Sequence, residues 1–210
     1  MLRLSVTDLE SLRYFKSAED ASLDKLILDL AHVSAPTAKM EAGRAMAKFF
    51  EGAECDSIIG DVKIDGWTLC FALDAEIDLP QVREMKIEQE FSTASGPVVL
   101  VGKVDGFHGV TVRDQKLTES LDAEGRYTDS LQWRAYLAML GAKRFIYDVF
   151  VGKVVEEERT VLIREYHRLP FYAYPDMQPD ITRAVGELAE IVTRYQDKIE
   201  ALRTGANHGK

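Results

Sequence analysis

The tightest constraint on the fold lies between residues 83 and 118. Three runs with strand chemistry, Arg83 to Phe91, Val98 to Phe107 and Val112 to Thr118, follow one another with only turn residues between them. The first break is Ser92-Thr93-Ala94-Ser95-Gly96-Pro97 and the second is His108-Gly109. A hairpin turning through His108, Gly109, Val110 and Thr111 sets Phe107 against Val112, and that register puts Asp105 directly opposite Asp114. Opposed residues on one sheet face hold their Cβ atoms about 4.5 to 5.5 Å apart, and Lys116, two residues on, shares the face.

The rest of the chain organises around this sheet. Asp129 or Ser130 caps a helix running to Leu140, with Gly141 at the usual C-terminal stop. Arg144 to Val155 and Arg159 to Leu169 are β-rich and add two strands. Upstream, Thr7 and Glu10 have capping-box spacing for a short first helix, and Leu23, Leu26, Ile27 and Leu30 repeat with helical period in a second that ends near His32. Thr37 to Glu54 predicts a third helix, with Met40, Gly43, Ala47 and Phe50 along one stripe and Ala42, Ala45 and Phe49 beside it.

Two segments are less simple. Ile58 to Pro80 is ambiguous between a short strand at Trp67 to Leu73 and a helical insert. After Pro175 and Pro179, a run with Ile181, Val185, Leu188, Ile191, Val192, Tyr195, Ile199 and Leu202 on one side predicts a single long helix over 176–203, suited to docking on the sheet or to pairing with a second copy. Thr204 to Lys210 is expected to fray. A chain of 210 residues suits one α/β domain: N-terminal helices over 1–35, a core over 36–170 with an insert near 57–80, and the C-terminal helix.

Two carboxylates held this close repel, and the repulsion is relieved when one takes a proton or a divalent cation binds. The natural cation for oxygen donors is Mg²⁺ or Mn²⁺. Such an ion polarises a phosphoryl oxygen and lowers the pKa of water, while the Lys116 ammonium faces developing charge. Gln132 and Tyr136, at i and i+4 of the following helix, point one way and offer an amide and a phenol to phosphate oxygens. Each signature has a bland counterpart: a solubilising charge pair on a strand edge, and a core tyrosine beside a surface amide.

In order, Gly102-Lys103-Val104-Asp105, Asp114-Gln115-Lys116 and Gln132-Trp133-Arg134-Ala135-Tyr136 resemble the motifs of the PD-(D/E)XK nuclease superfamily, in particular its RecB-like branch and the phage exonucleases related to lambda exonuclease. The resemblance implies a restriction-endonuclease-like core of a helix, three antiparallel strands, a helix and a further strand. It implies Asp105, Asp114 and the Gln115 backbone carbonyl as metal ligands, Lys116 as the residue that orients or activates water, and Gln132 and Tyr136 as residues that steady DNA. Gly43 to Glu51 looks like the family's G-x-x-x-H-x-x-x-E segment, with Ala47 where many members have a metal-binding histidine, which leaves Glu51 as the added catalytic acid and metal ligand. Leu4 to Leu9 is similar to the RecB-type opening. The implied activity is a metal-dependent deoxyribonuclease, an exonuclease of recombination or DNA-end processing. Its implied partners are DNA ends or single strands and a recombination partner protein. The rival readings are a catalytically silent module of the same fold that binds DNA or protein, and an unrelated α/β protein with a surface charge network.

Charge and cysteines bound these expectations. A net charge of -9 disfavours tight non-specific DNA binding, so any basic groove must be local, with Arg113, Arg126, Arg134, Lys143 and Arg144 as its expected source. Cys55 and Cys70 are too few for an iron-sulfur cluster and are expected to be buried thiols in a reducing compartment. The chain has no apolar run of about 20 residues and no signal-peptide layout, so a cytoplasmic protein without membrane contact is expected. His108 is a candidate proton relay; His32, His167 and His208 carry no assigned chemistry. Trp67 and Trp133 are expected to pack rather than stack on bases.

Overall fold

The three expected strands form and lie within a larger mixed sheet. A computed structural model describes residues 1–54, 57–77, 79–121 and 124–207. A short strand, β1 (Leu2–Ser5), passes directly into α1 (Val6–Ser17). The Ser5 hydroxyl accepts from the Asp8 N–H at 3.1 Å while the Asp8 carboxylate accepts from the Ser5 N–H at 2.7 Å. The capping box therefore lies two residues before the Thr7 and Glu10 pair, because the helix begins where β1 ends.

Ser22 and Thr37 cap the next two helices, α2 (Leu23–Ala31) and α3 (Ala38–Gly52), each accepting from a backbone N–H in the first turn. The buried side of α3 is Ala42, Ala45, Met46 and Phe50, while Met40 is exposed. The expected stripe of Met40, Gly43 and Ala47 thus faces away from the core. The ambiguous segment resolves as a hairpin of β2 (Ser57–Ile64) and β3 (Trp67–Glu76) rather than a helical insert. Asp65 and Gly66 turn it with φ of 49° and 76°, the paired left-handed geometry that matches strand twist and favours Asp-Gly.

The centre follows as β4 (Val82–Thr93), β5 (Gly96–His108), β6 (Thr111–Thr118), the short α4 (Glu124–Thr128), α5 (Leu131–Leu140), β7 (Arg144–Val155) and β8 (Thr160–Tyr172). Ser130 caps α5 and Gly141 ends it at φ 61°. The expected single C-terminal helix is two, α6 (Met177–Arg194) and α7 (Gln196–Asn207), broken at Tyr195. Thr204 onward does not fray at once, since α7 continues to Asn207. The apolar stripe is spent on docking: Ile181, Val185, Leu188 and Ile199 are all buried in the main core.

The strands run in the order β1-β5-β6-β7-β8-β3-β2, with β4 on the other edge of β5. β4, β5 and β6 are successively antiparallel, and β7 runs parallel to β6. The hairpin has the expected register, Phe107 against Val112, and the β5–β6 pairing ends at Gly106 and Arg113. On the same edge of β5, β1 pairs only with Val98 to Val101. One edge of β5 is therefore shared by two strands, and Gly102 to Asp105 lie in the gap between them. Residues alternate across the sheet. Phe145, Tyr147 and Val149 enter the main core beneath α1, α2, α5 and α6, whereas Phe150 enters a second core beneath α3 and β3.

Candidate active site

The gap on β5 opens into a cleft of about 770 Å³, bounded by α3, the diverging ends of β5 and β6, and α5. Asp105, Asp114, Gln115, Lys116, Gln132 and Tyr136 all line it. Because the strands part after Gly106 and Arg113, the next residues turn their polar groups on each other. The Asp105 carboxylate accepts from the Gln115 N–H at 3.0 Å. Asp114 is buried, its Oδ1 accepting from Gln132 Nε2 at 2.9 Å and its Oδ2 lying 2.6 Å from Lys116 Nζ.

Burial and crowding set the charges. Asp114 is pushed up to about 7, first by loss of water and then by the neighbouring Asp105 and Asp148, with Lys116 pulling the other way. Asp105 is raised by burial against the opposing pull of Lys116, the Gln115 N–H and Lys103. Burial alone lowers the Lys116 pKa, but Asp114, Asp105 and Glu10 outweigh it and the net shift is upward. Lys116 is thus an ammonium held between acids. A carboxylate poised near neutrality beside a second one is a site that gains by taking up positive charge.

Tyr136 explains the glycine that precedes the first acid. A Cβ on Gly102 would stand 2.5 Å from Tyr136 Cε1, so only glycine lets the ring lie on β5. The hydroxyl then donates to the Lys103 carbonyl at 2.8 Å, and the ring stacks with Phe145. Burial drives the phenol pKa well upward, so it stays protonated. Its chief action is to wedge α5 against β5. Gln132, four residues earlier, is thereby held over Asp114.

Glu51 lies elsewhere. It is exposed in the last turn of α3 and is not among the residues lining the cleft. Its backbone has the visible role: Arg83 Nη1 accepts no proton but donates to the carbonyls of Phe50, Glu51 and Ala53, closing the end of the helix. Gly43 and Ala47 do face the cleft.

The basic groove has a different source from the expected one. Arg113 is buried and pairs through Nε and Nη2 with Asp148. Arg134 lies over Trp133 and donates to the Thr128 carbonyl. Arg144 reaches Thr111, and neither it nor Lys143 lines the cleft. Of the five only Arg126 does, joined by Lys39, Arg44, Lys103 and Lys116. Among the described residues, these five cations and three acids, Asp105, Asp114 and Glu119, line the cleft, a local positive balance on an acidic chain. Lys39 is paired with Glu119, and Lys103 with Glu84. Lys39 and Arg44 were hidden because their approach to the site depends on packing of α3.

The remaining candidates settle simply. His108 is exposed at the end of β5 and does not line the cleft. Trp133 stacks on Phe171 at 5.0 Å, and Trp67 is buried beneath the Arg159 guanidinium. Cys70 is only partly buried; Cys55 and His208 lie outside the described residues. No helix among the described residues is long and apolar enough to cross a membrane.

Asp105 and Asp114 offer hard oxygen donors of the kind Mg²⁺ or Mn²⁺ takes, with Gln115 beside them. Among the described residues, no group of three or more His, Cys, Asp or Glu gathers as a metal cage.

No family model and no curated protein matches the chain. Among solved structures, a crystal structure of SSO0001 is similar at a TM-score of 0.55 and 14% identity, over 91% of this chain and 77% of that one. The likeness is one of fold, a mixed α/β architecture with a large sheet and flanking helices.

Proposed function

We propose that this protein is a divalent-metal-dependent deoxyribonuclease with a PD-(D/E)XK core, acting as an exonuclease on DNA ends in recombination or end processing. One observation carries the reading: Asp105, Asp114, Lys116 and Gln132, drawn from two strands and a helix, converge in one cleft with Asp114 pushed up to about 7. The element order α3, β4, β5, β6, α5, β7 supports the same reading.

Asp105, Asp114 and the Gln115 carbonyl would hold Mg²⁺ or Mn²⁺, which supplies Lewis-acid polarisation of the phosphodiester and acidifies water. Lys116, an ammonium 2.6 Å from Asp114 Oδ2, would face the attacking water and the charge that develops on the phosphoryl oxygens. Gln132 Nε2 donates to Asp114 Oδ1 and would hold that carboxylate in place. Arg44, Arg126, Lys39 and Lys103 seat the flanking phosphates and carry no sequence information.

The test is digestion of end-labelled linear, circular and single-stranded DNA with Mg²⁺ or Mn²⁺ varied, comparing wild type with Asp114→Ala. Cleavage of linear DNA that needs metal and is lost in Asp114→Ala is the expected result. Intact DNA in every lane, with folded protein, refutes the reading. Ala47 in the cleft, where the resemblance expects a histidine, favours a silent DNA- or protein-binding module as the second reading. Such a module retains its binding in Asp114→Ala and cleaves nothing.

A further inference from the structure

We propose that Glu10, on the N-terminal helix α1, is a positioning residue of the active site, acting through the first turn of α5 on Gln132. Its Oε1 accepts from the Gln132 N–H at 2.7 Å and from the Ser130 hydroxyl at 2.8 Å. Its Oε2 accepts from Arg13 Nε at 3.0 Å, which fixes the carboxylate from behind. Two of the groups at the start of α5 are therefore tied to an acid some 120 residues away in sequence.

The connection runs on to the chemistry. Helix N-termini present N–H groups without intrahelical partners and favour a nearby anion. The Gln132 N–H is one of these, shared between the Ser130 cap at 3.1 Å and Glu10 at 2.7 Å. The side chain of that same residue donates to Asp114 at 2.9 Å. Ser130 Oγ also lies 2.9 Å from the Tyr147 hydroxyl, so the anchored turn is packed from the sheet side as well. Shifting the turn by the length of a lost hydrogen bond moves the amide off the acid.

Glu10 also faces a second cavity of about 510 Å³, which shares Thr7, Met40, Lys116, Arg126 and Gln132 with the cleft. Its charge lies near enough to Lys116 to contribute to holding the ammonium. The sequence offers Glu10 only as the capping-box partner of Thr7, and since Ser5 and Asp8 form that box the glutamate is left to reach α5. What places it is β1: Ser5 pairs opposite Val101, immediately before Gly102, so α1 starts beside the gap and Glu10 follows on it.

The kinetic arm of the test rests on the nuclease reading. The experiment compares Glu10→Ala, Glu10→Gln, Gln132→Ala and the Glu10→Ala/Gln132→Ala pair on end-labelled linear DNA with Mn²⁺, alongside amide hydrogen exchange at Gln132. Glu10→Ala is expected to lower kcat about 10- to 100-fold, the usual range for outer-shell partners of a metal site, with KM little changed. Glu10→Gln keeps an acceptor oxygen and is expected to restore most of the rate. In the Gln132→Ala background Glu10→Ala is expected to cost nothing further. Exchange at the Gln132 amide is expected to quicken in Glu10→Ala and to stay slow in Glu10→Gln. Independent, additive losses, a Glu10→Gln as slow as Glu10→Ala, or unchanged Gln132 exchange in Glu10→Ala each overturn the proposal. If wild type cleaves nothing while exchange follows the expected pattern, the nuclease reading falls and the anchoring of Gln132 by Glu10 stands.

Discussion

Gly102→Ala tests how α5, the helix that carries Gln132 and Tyr136, is seated. The added Cβ would stand 2.5 Å from Tyr136 Cε1 and 3.1 Å from Val6 Cγ2, against about 3.5–4.0 Å for a relaxed carbon contact. Tyr136 cannot yield freely: it is 4% exposed, stacked on Phe145 and bonded to the Lys103 carbonyl. Relief therefore requires α5 to lift from β5 by about 1 Å, and overpacking of this kind costs roughly 1–3 kcal/mol. Equilibrium urea unfolding measures the loss, and cleavage of linear DNA is expected to fall with it because Gln132 rides on the same helix. Gly43→Ala is the control. Outside its own stretch of helix no atom lies within 4 Å of the Cβ it would add, so in the middle of α3 it should stabilise by about 0.5–1 kcal/mol. In a Tyr136→Ala background the cost of Gly102→Ala should be clearly smaller, with only the 3.1 Å approach to Val6 left. A Gly102→Ala protein as stable as wild type, or an equal cost with and without the Tyr136 ring, refutes the reasoning.

Other outcomes follow from the same geometry. On the nuclease reading, Lys116→Ala should lower kcat by about 10²–10³-fold, the cost of losing a transition-state donor, while DNA binding by fluorescence anisotropy changes little. The Asp114 carboxyl holds its proton to about 7 when folded and to 3.8 when unfolded, so the folded state binds more protons between those values. Metal-free stability should therefore fall as pH rises from 4 to 7, by on the order of 4 kcal/mol at most, and the difference between wild type and Asp114→Asn in thermal unfolding isolates it. A constant difference across that window would contradict the assignment. Asp148→Ala removes a buried carboxylate shared by Arg113 and the Tyr166 hydroxyl, and chemical denaturation should show a loss of about 3–5 kcal/mol. Arg44→Ala and Arg126→Ala should each flatten the salt dependence of DNA binding by about 0.7–0.9 in log–log slope, if each meets one phosphate.

Local chemistry made some of this architecture readable. His108-Gly109 sets the hairpin register, and the register alone brings Asp105 towards Asp114. Ser130 and Gly141 bracket α5 because a hydroxyl before a helix and a left-handed glycine after it act at short range. The Asp65-Gly66 turn offered an equally local signal for the β2–β3 hairpin. Other features are set by distant packing. β1 is too short to show strand alternation and exists because β5 offers it an edge. The break at Tyr195 has no proline or glycine beside it. It lies where α6, packed near the sheet, gives way to α7, which reaches α2 through Arg203 on the Leu30 carbonyl and Lys198 on Asp24. Glu10, Lys39 and Arg44 belong to this second class, as does the displacement of Glu51, whose helix presents Gly43 and Ala47 to the cleft in its place.

The shared edge of β5 has a consequence for how the protein is made. β1 is synthesised first, yet its partner, residues 98–101, emerges only after most of a hundred further residues. Until then its backbone N–H and C=O groups form an unprotected template for pairing with other chains. Closure of so long a loop is slow relative to local hairpin formation. The β5–β6 hairpin is therefore expected to fold early and the β1–β5 pairing late, so closure of the cleft between them should lag behind the burst of β-structure during refolding.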